Sequence, residues 1–285
     1  MCVACNTLIR HDFSCQVNGV DHIYALWEHF WGNLLSLLHQ FIVKAYTDGK
    51  VDISEDILKS SIAIIPAYNE EISVGRVVAG IRSLGLDALV VDDQSSDETG
   101  KQAEKSGAVV LNPAVRLGAW GAIQTGFRYA IKNGYMYGVT LDADGQHLPE
   151  SISDILTEEN VRDYDVVIGA CPARVSRLRR IAWTWFRSIS STNLGDLTSG
   201  LRLYNRWSMR LMLDNRAYLF DYQDMGALLL LKKHGLRIKE APVQMACREA
   251  GQSRVFSSWI KVGKYMIVTT ILSVSKFRQK NKLDR

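Results

Sequence analysis

The chain has 285 residues, 47% of them hydrophobic and 22% charged, with a formal net charge of +4. That length buries a sizeable core in one large domain, or in one domain plus an appendage, and the composition is ordinary for a globular protein. So mild a charge gives no footing for a nucleic-acid partner and leaves room only for local basic clusters facing an anionic ligand or a membrane.

Residues 1–58 read as a partly helical N-terminal extension. Its start lacks a charged segment followed by a clean apolar run, so no secretory signal is expected. Cys2, Cys5, His11 and Cys15 are too compressed for a zinc site, and no second ligand pair follows. The five cysteines are scattered and odd in number, which fits a reducing compartment rather than a disulfide framework. Trp27, Trp31, Leu34, Leu38, Phe41 and Ala45 fall at helical spacing. That stripe either lies on a membrane surface or docks on the core.

From Ser60 to about Val167 the text alternates strand and helix. SIAIIPAYNE is an apolar strand breaking near Pro66, and SVGRVVAGIRSLG a helix ending at Gly85. DALVVDDQSSDET is a second strand ending in carboxylates, followed by the helix TGKQAEKSG and the short strand AVVLN. GAIQTGFRYAIKNG is a helix closed by Gly134, YGVTLDADGQH the fourth strand, and YDVVIGA a further one. The order predicts an α/β fold with a mostly parallel, Rossmann-like sheet and helices on both faces.

Ligands of open parallel sheets bind outside the carboxyl ends of the strands. Three strands here end in polar residues, in PAYNE, DDQSSD and DADGQ. Alternation along the fourth strand would put Asp142 and Asp144 on one face. Two such carboxylates repel unless a cation sits between them, and Mg²⁺ or Mn²⁺ takes a couple of carboxylates plus substrate phosphate. Gln146 offers a further oxygen. An isolated D-x-D reads as a solvated Asp-Gly turn; the polar ends of the neighbouring strands turn the reading toward a cation site.

IIPAYNEE, VVDDQSSDET, RLGAWGA and LDADGQHLPE together resemble the GT-A domain of family-2 glycosyltransferases. The likeness is nearest to the polyprenyl-phosphate sugar transferases, the dolichol-phosphate-mannose-synthase-like branch. It continues in order through DLTSGLRLY, FDYQDM and KEAPVQMACREAGQS, covering roughly 60–258. The resemblance implies an inverting, metal-dependent transfer from a GDP- or UDP-linked sugar. It places Pro66, Tyr68, Glu70, Asp92, Asp93 and Arg116 around the donor nucleotide. It places Asp142, Asp144 and Gln146 at Mg²⁺ or Mn²⁺ against the donor diphosphate. Arg248 and Ser253 match an R-x-x-G-x-S element that closes over the phosphates. Asp224 stands where the family carries an acidic residue, as a base or an orienting group.

The acceptor side departs from the pattern. Relatives carry a G-S-R element after the fifth strand, where this chain reads GACPAR. The run ARVSRLRRIAWTWFR gathers arginines around two tryptophans, and Arg177 and Arg180 suit either an acceptor phosphate or a solvated basic helix. Ser199 and Arg202, with Asp196, either line the acceptor cleft or build a turn and a solvated charge. Residues 259–285 read as an amphipathic helix and basic tail suited to anionic lipid. No apolar run approaches the roughly 20 residues of a membrane span.

The expected organisation is therefore an extension at 1–58, a GT-A domain at 59–258 and the tail. The expected protein is cytoplasmic and peripheral on a membrane, with a nucleotide-sugar and a polyprenyl phosphate as partners. A hydroxyl acceptor, and a nucleotide-sugar-binding subunit without turnover, are the alternatives.

Overall fold

A computed structural model of the chain describes residues 53–171, 199–214, 217 and 225–246. Every described element lies within Val51–Arg285. The N-terminal cysteines, the aromatic stripe, the Arg-Trp run and the basic tail lie outside the described residues. Among the described residues, no helix is long and apolar enough to cross a membrane.

A short helix, α1 (Glu55–Lys59), leads into β1 (Ser61–Ala67), and Ser61 Oγ ties the two by donating to the Ile57 carbonyl at 2.6 Å. Then follow α2 (Val74–Ser83), β2 (Asp87–Asp92), α3 (Thr99–Lys105), β3 (Val109–Leu111), α4 (Gly118–Lys132) and β4 (Tyr137–Thr140). Beyond them come α5 (Pro149–Ile155), α6 (Glu158–Asp163), β5 (Val166–Ala170), β6 (Arg202–Asn205), α7 (Arg206–Leu211), α8 (Met225–Lys233) and β7 (Ile238–Pro242). The strands form one sheet in the order β3-β2-β1-β4-β6-β5-β7. Only β6 among them runs antiparallel to its neighbours β4 and β5. The expected mostly parallel α/β architecture is what the chain adopts.

Period-two alternation divides the core between the two faces of the sheet. Ile62 and Ile64 of β1 join Leu89, Val91, Trp120, Phe127 and Tyr204 on one face, under α4, α7 and α8. Ala63 and Ile65 join Val77, Val78, Ile81, Val90, Ile152 and Leu203 on the other, under α2, α3 and α5. Both faces are covered, so the central strands read as near-continuous apolar runs.

Helix α4 crosses from β3 back over β2 and β1 to reach β4, and it sits unusually close to the sheet. A Cβ on Gly126 would fall on the γ2 methyl of Ile64, deep inside van der Waals contact. At the end of α4, Arg206 donates to the carbonyls of Tyr135 and Ile131 at 2.8 and 2.9 Å, a cation placed where the helix leaves its last carbonyls unsatisfied.

Gly126→Ala is expected to destabilise the fold by about 1–3 kcal/mol, the usual cost of overpacking a tight core. Urea denaturation measures it, and an unchanged midpoint would mean that α4 does not sit this close to β1.

Candidate active site

Strands β1, β2 and β3 are laid down toward one side of the sheet, and β4 is then placed on the other side of β1. The ends of β1 and β4 therefore flank the point where strand order reverses, the usual ligand crevice of open α/β sheets. The segment after β1 carries Tyr68, Asn69 and Glu70, and the segment after β4 carries Asp142, Asp144 and Gln146. Pro66 lies half-buried inside β1, opposite Val91 of β2.

The loops following β1 and β2 are laced together. Asn69 has φ 54 and donates its N–H to Ser95 Oγ at 3.0 Å, while Ser96 N–H donates to Asn69 Oδ1 at 2.9 Å. Glu70 N–H donates to Thr99 Oγ1 at 2.8 Å, and Thr99 Oγ1 in turn donates to Asp97 Oδ1 at 2.5 Å. Glu71 N–H reaches Asp97 Oδ2 at 3.3 Å, and Glu98 N–H reaches Glu71 Oε2 at 3.0 Å. Partial burial pushes the Asp97 carboxyl up, but the hydrogen bonds from Thr99 and from the Glu71 N–H outweigh it and hold the carboxyl below its ordinary value. Sequence inspection singled out none of Asn69, Asp97 and Thr99; the only sign was an Asp and a Thr at a helix start.

Asp92 and Asp93 are both buried. Asp92 Oδ1 accepts from Ser95 N–H at 3.0 Å, and its other oxygen tucks against Gly100 of α3, where a Cβ would come within 2.9 Å. Asp93 uses both oxygens, accepting from the N–H groups of Leu117 and Gly118 at 2.6 and 2.8 Å. Its charge thus meets the positive end of the 15-residue helix α4. Arg116 lies 4.0 Å from Asp93 and stacks over the Tyr68 ring, its Cζ 3.7 Å from the centroid.

The D-x-D pair does not sit within a strand as expected from alternation. β4 ends at Thr140, opposite Arg202 where its antiparallel partner β6 begins, and the chain then turns through Gly145 at φ 73. Asp144 Oδ1 accepts from Gln146 N–H at 3.0 Å, an Asx-type closure of that turn. Asp142 is exposed; its Oδ2 lies 3.9 Å from Nε2 of the buried His147. Gly200 packs against the same carboxylate, where a Cβ would come within 2.5 Å of Oδ2, and the Gly200 carbonyl accepts from Thr140 Oγ1 at 2.9 Å. His147 also bridges to Met245, and Ala246 N–H donates to the Gln146 carbonyl at 2.9 Å. The chain after β7 therefore runs beside the turn two residues before Arg248.

This donor set fits a hard divalent cation: two carboxylates and an amide oxygen around one glycine-shaped turn. No group of three or more His, Cys, Asp and Glu side chains is gathered for a metal among the described residues. Mg²⁺ is commonly held by one or two carboxylates together with substrate phosphates, which matches so sparse a set.

Two of the acceptor-side residues are buried. Arg202 is fully buried and donates from Nε to the Ser199 carbonyl at 3.0 Å, so it is not a solvated charge. Ser199 is buried too, its Oγ accepting from Leu201 N–H at 3.3 Å, which is the turn that stood as the alternative to an acceptor contact. Arg202 opens β6, which inserts between β4 and β5 and so has a neighbour on each side. Asp224, Arg248, Ser253, Arg177, Arg180 and Asp196 lie outside the described residues.

Residues 62–221 match the family described as Glycosyl transferase family 2. The undecaprenyl-phosphate mannosyltransferase of Micrococcus luteus is 33% identical over 217 residues, covering 68% of this chain and 86% of that protein. The polyprenol monophosphomannose synthase of Mycolicibacterium smegmatis is 27% identical over 249 residues, covering 79% and 89%. In fold, the chain is similar to the crystal structure of glucosyl-3-phosphoglycerate synthase from Mycobacterium tuberculosis in complex with Mn²⁺ and uridine-diphosphate-glucose. There the TM-score is 0.57 at 17% identity, over 80% of this chain and 84% of that one.

Asp97→Asn is expected to loosen the clasp between the two loops, and the loss has a definite pH dependence. A carboxyl with a lowered folded pKa adds stability above its unfolded value of about 4 and loses it as pH falls through the folded value. Urea denaturation of both proteins from about pH 7 down to about pH 2.5 should show the wild-type advantage hold at first and then vanish. An advantage that persists undiminished in acid would break the assignment.

Proposed function

The chain belongs to glycosyl transferase family 2 and is a glycosyltransferase, and we propose that it moves a sugar from a nucleoside-diphosphate donor to a polyprenyl phosphate with inversion at the anomeric carbon. The observation that carries the reading is the D-x-D turn beside the laced β1 and β2 loops at the reversal of strand order. The named activities of the Micrococcus and Mycolicibacterium relatives support a lipid-phosphate acceptor.

Each part of the site has a task in this reaction. The ring of Tyr68, on the rigid loop after β1, offers a flat surface to the nucleotide base, with Arg116 stacked beside it. Asp142, Asp144 and Gln146 would hold Mg²⁺ or Mn²⁺. The bound ion would supply charge stabilisation to the departing diphosphate. Arg248, two residues past Ala246 in the chain, is a further cation for the donor phosphates, as the R-x-x-G-x-S likeness implies. An oxygen of the acceptor phosphate attacks the anomeric carbon as the bond from that carbon to the diphosphate breaks. That oxygen is already anionic, so no side chain need remove a proton, and Asp224 serves as an orienting group.

Release of nucleoside diphosphate from GDP- and UDP-sugars, with and without polyprenyl phosphate, tests the proposal. Release should require the lipid phosphate and stop in EDTA. Asp144→Asn should keep the fold and lower turnover by about 10²-fold or more, the scale for losing a group that stabilises developing negative charge. Release onto a hydroxyl acceptor alone, or full activity of Asp144→Asn, would overturn it.

A polyprenyl phosphate keeps its chain in the bilayer, so the crevice must meet a membrane surface. The arginine-tryptophan run at 174–187 and the lysine-rich stretch from 259 supply fitting residues. The full chain is expected to sediment with anionic vesicles and to be partly released by salt, which screens the electrostatic share alone. Absence of binding at low salt would remove the physical basis for a lipid acceptor.

A further inference from the structure

Helix α2 carries Arg76 in its first turn, with its side chain exposed. Its guanidinium reaches the D-x-D turn from the side: a Cβ on Gly145 would lie 3.0 Å from Nη2 and 4.0 Å from Cζ. Gly145 stands between Asp144 and Gln146, and at φ 73 it presents only a hydrogen toward that guanidinium. The missing side chain is what lets a cation approach the turn so closely.

The neighbouring arginines are placed for other work. Arg116 stacks on Tyr68 and faces Asp93, and Arg202 is buried against the Ser199 carbonyl. Arg76 differs in being exposed, mounted on a regular helix, and set against the backbone of the turn that carries the candidate ion ligands. A planar guanidinium presents several N–H donors in a fork that matches phosphate oxygens, and charge-assisted bonds of this kind are among the stronger ones.

We propose that Arg76 is a binding residue for the donor diphosphate, contacting its oxygens next to the ion held by the D-x-D turn. The assignment rests on the nucleotide-sugar reading above and adds a residue from a different element to it. Its positive charge stands beside the turn that carries Asp142 and Asp144. When a divalent ion binds that turn, two positive charges stand side by side, and the diphosphate is what they share. The negative charge that builds on the leaving diphosphate then meets a cation fixed on α2, with no reorganisation at the moment of bond cleavage.

This arrangement predicts that the two ligands respond differently, which a merely structural role would not give. The probes are Mn²⁺ alone, followed by electron paramagnetic resonance, and GDP or UDP with Mn²⁺, followed by calorimetry, on the full chain. Arg76→Met keeps the length of the side chain and removes its charge. It should weaken binding of the Mn²⁺–nucleotide by about 10-fold or more, as expected for loss of a hydrogen bond to a charged group. It should leave Mn²⁺ alone bound as tightly or more tightly, because a neighbouring positive charge repels the ion. Arg76→Lys, which keeps the charge and loses the fork, should recover part of the nucleotide affinity. Wild-type nucleotide affinity in Arg76→Met would overturn the proposal, and so would a parallel loss of Mn²⁺ and Mn²⁺–nucleotide, which would mean that Arg76 only props the turn. Failure of the wild-type protein itself to bind either nucleotide with Mn²⁺ would instead overturn the donor reading, and this proposal with it.

Discussion

Four aspartates meet at the carboxyl edge of one sheet, and the compensation of their charge organises everything around them. Asp93 is neutralised by two N–H groups at the start of α4, and Asp92 is tied to the Ser95 N–H. Those two negative charges are satisfied by backbone and become joints between elements. Asp142 and Asp144 lie past the end of β4, one exposed and one half-buried, in a turn bordered by Gly145 and Gly200. Their setting, unlike that of Asp92 and Asp93, is open to a cation arriving from outside. The same residue type is therefore held in two different ways, according to which backbone groups lie within reach.

The crevice combines a stiff wall with a compact turn. The wall consists of the β1 and β2 loops, closed by reciprocal bonds among Asn69, Ser95, Ser96, Glu70, Thr99 and Asp97. Such lacing fixes Tyr68 without a long helix or strand beneath it. The turn is held differently, by the Asp144 oxygen on the Gln146 N–H and by pairing of residues 146 and 147 with 246 and 245. Glycine at 145 and 200 removes side chains where carboxylate and guanidinium must come close. Precision here comes from short hydrogen bonds and from omitted atoms, both cheap in core volume.

The likeness to solved structures, at under a fifth of residues identical, carries the fold alone, because one fold hosts many acceptors. The membership in family 2 rests on the sequence match, and the chemistry rests on the particular side chains at the strand ends.

The sequence by itself determined the order of strands and helices, the mostly parallel sheet and the polar strand ends, because hydrophobic period and turn residues are local properties. It also located Tyr68, Asp142, Asp144 and Gln146 in segments that fold to one crevice. Tertiary structure decided which carboxylates are held by backbone donors at the joints between elements and which lie in the turn past β4. Asp92 and Asp93, like Asp142 and Asp144, read as carboxylates at a strand end, and only the arrival of α4 and Ser95 shows how the first pair is tied. Arg202 reads as a surface charge until β6 enters the sheet between β4 and β5 and buries it. Alternation placed Asp142 and Asp144 on a strand face, whereas the early end of the β4–β6 ladder put them in a turn. Arg76, 69 positions before Gly145, carries no local sign of its neighbour; helix α2 packing beside the turn brings them together. Such contacts depend on distances between elements, which no local pattern encodes.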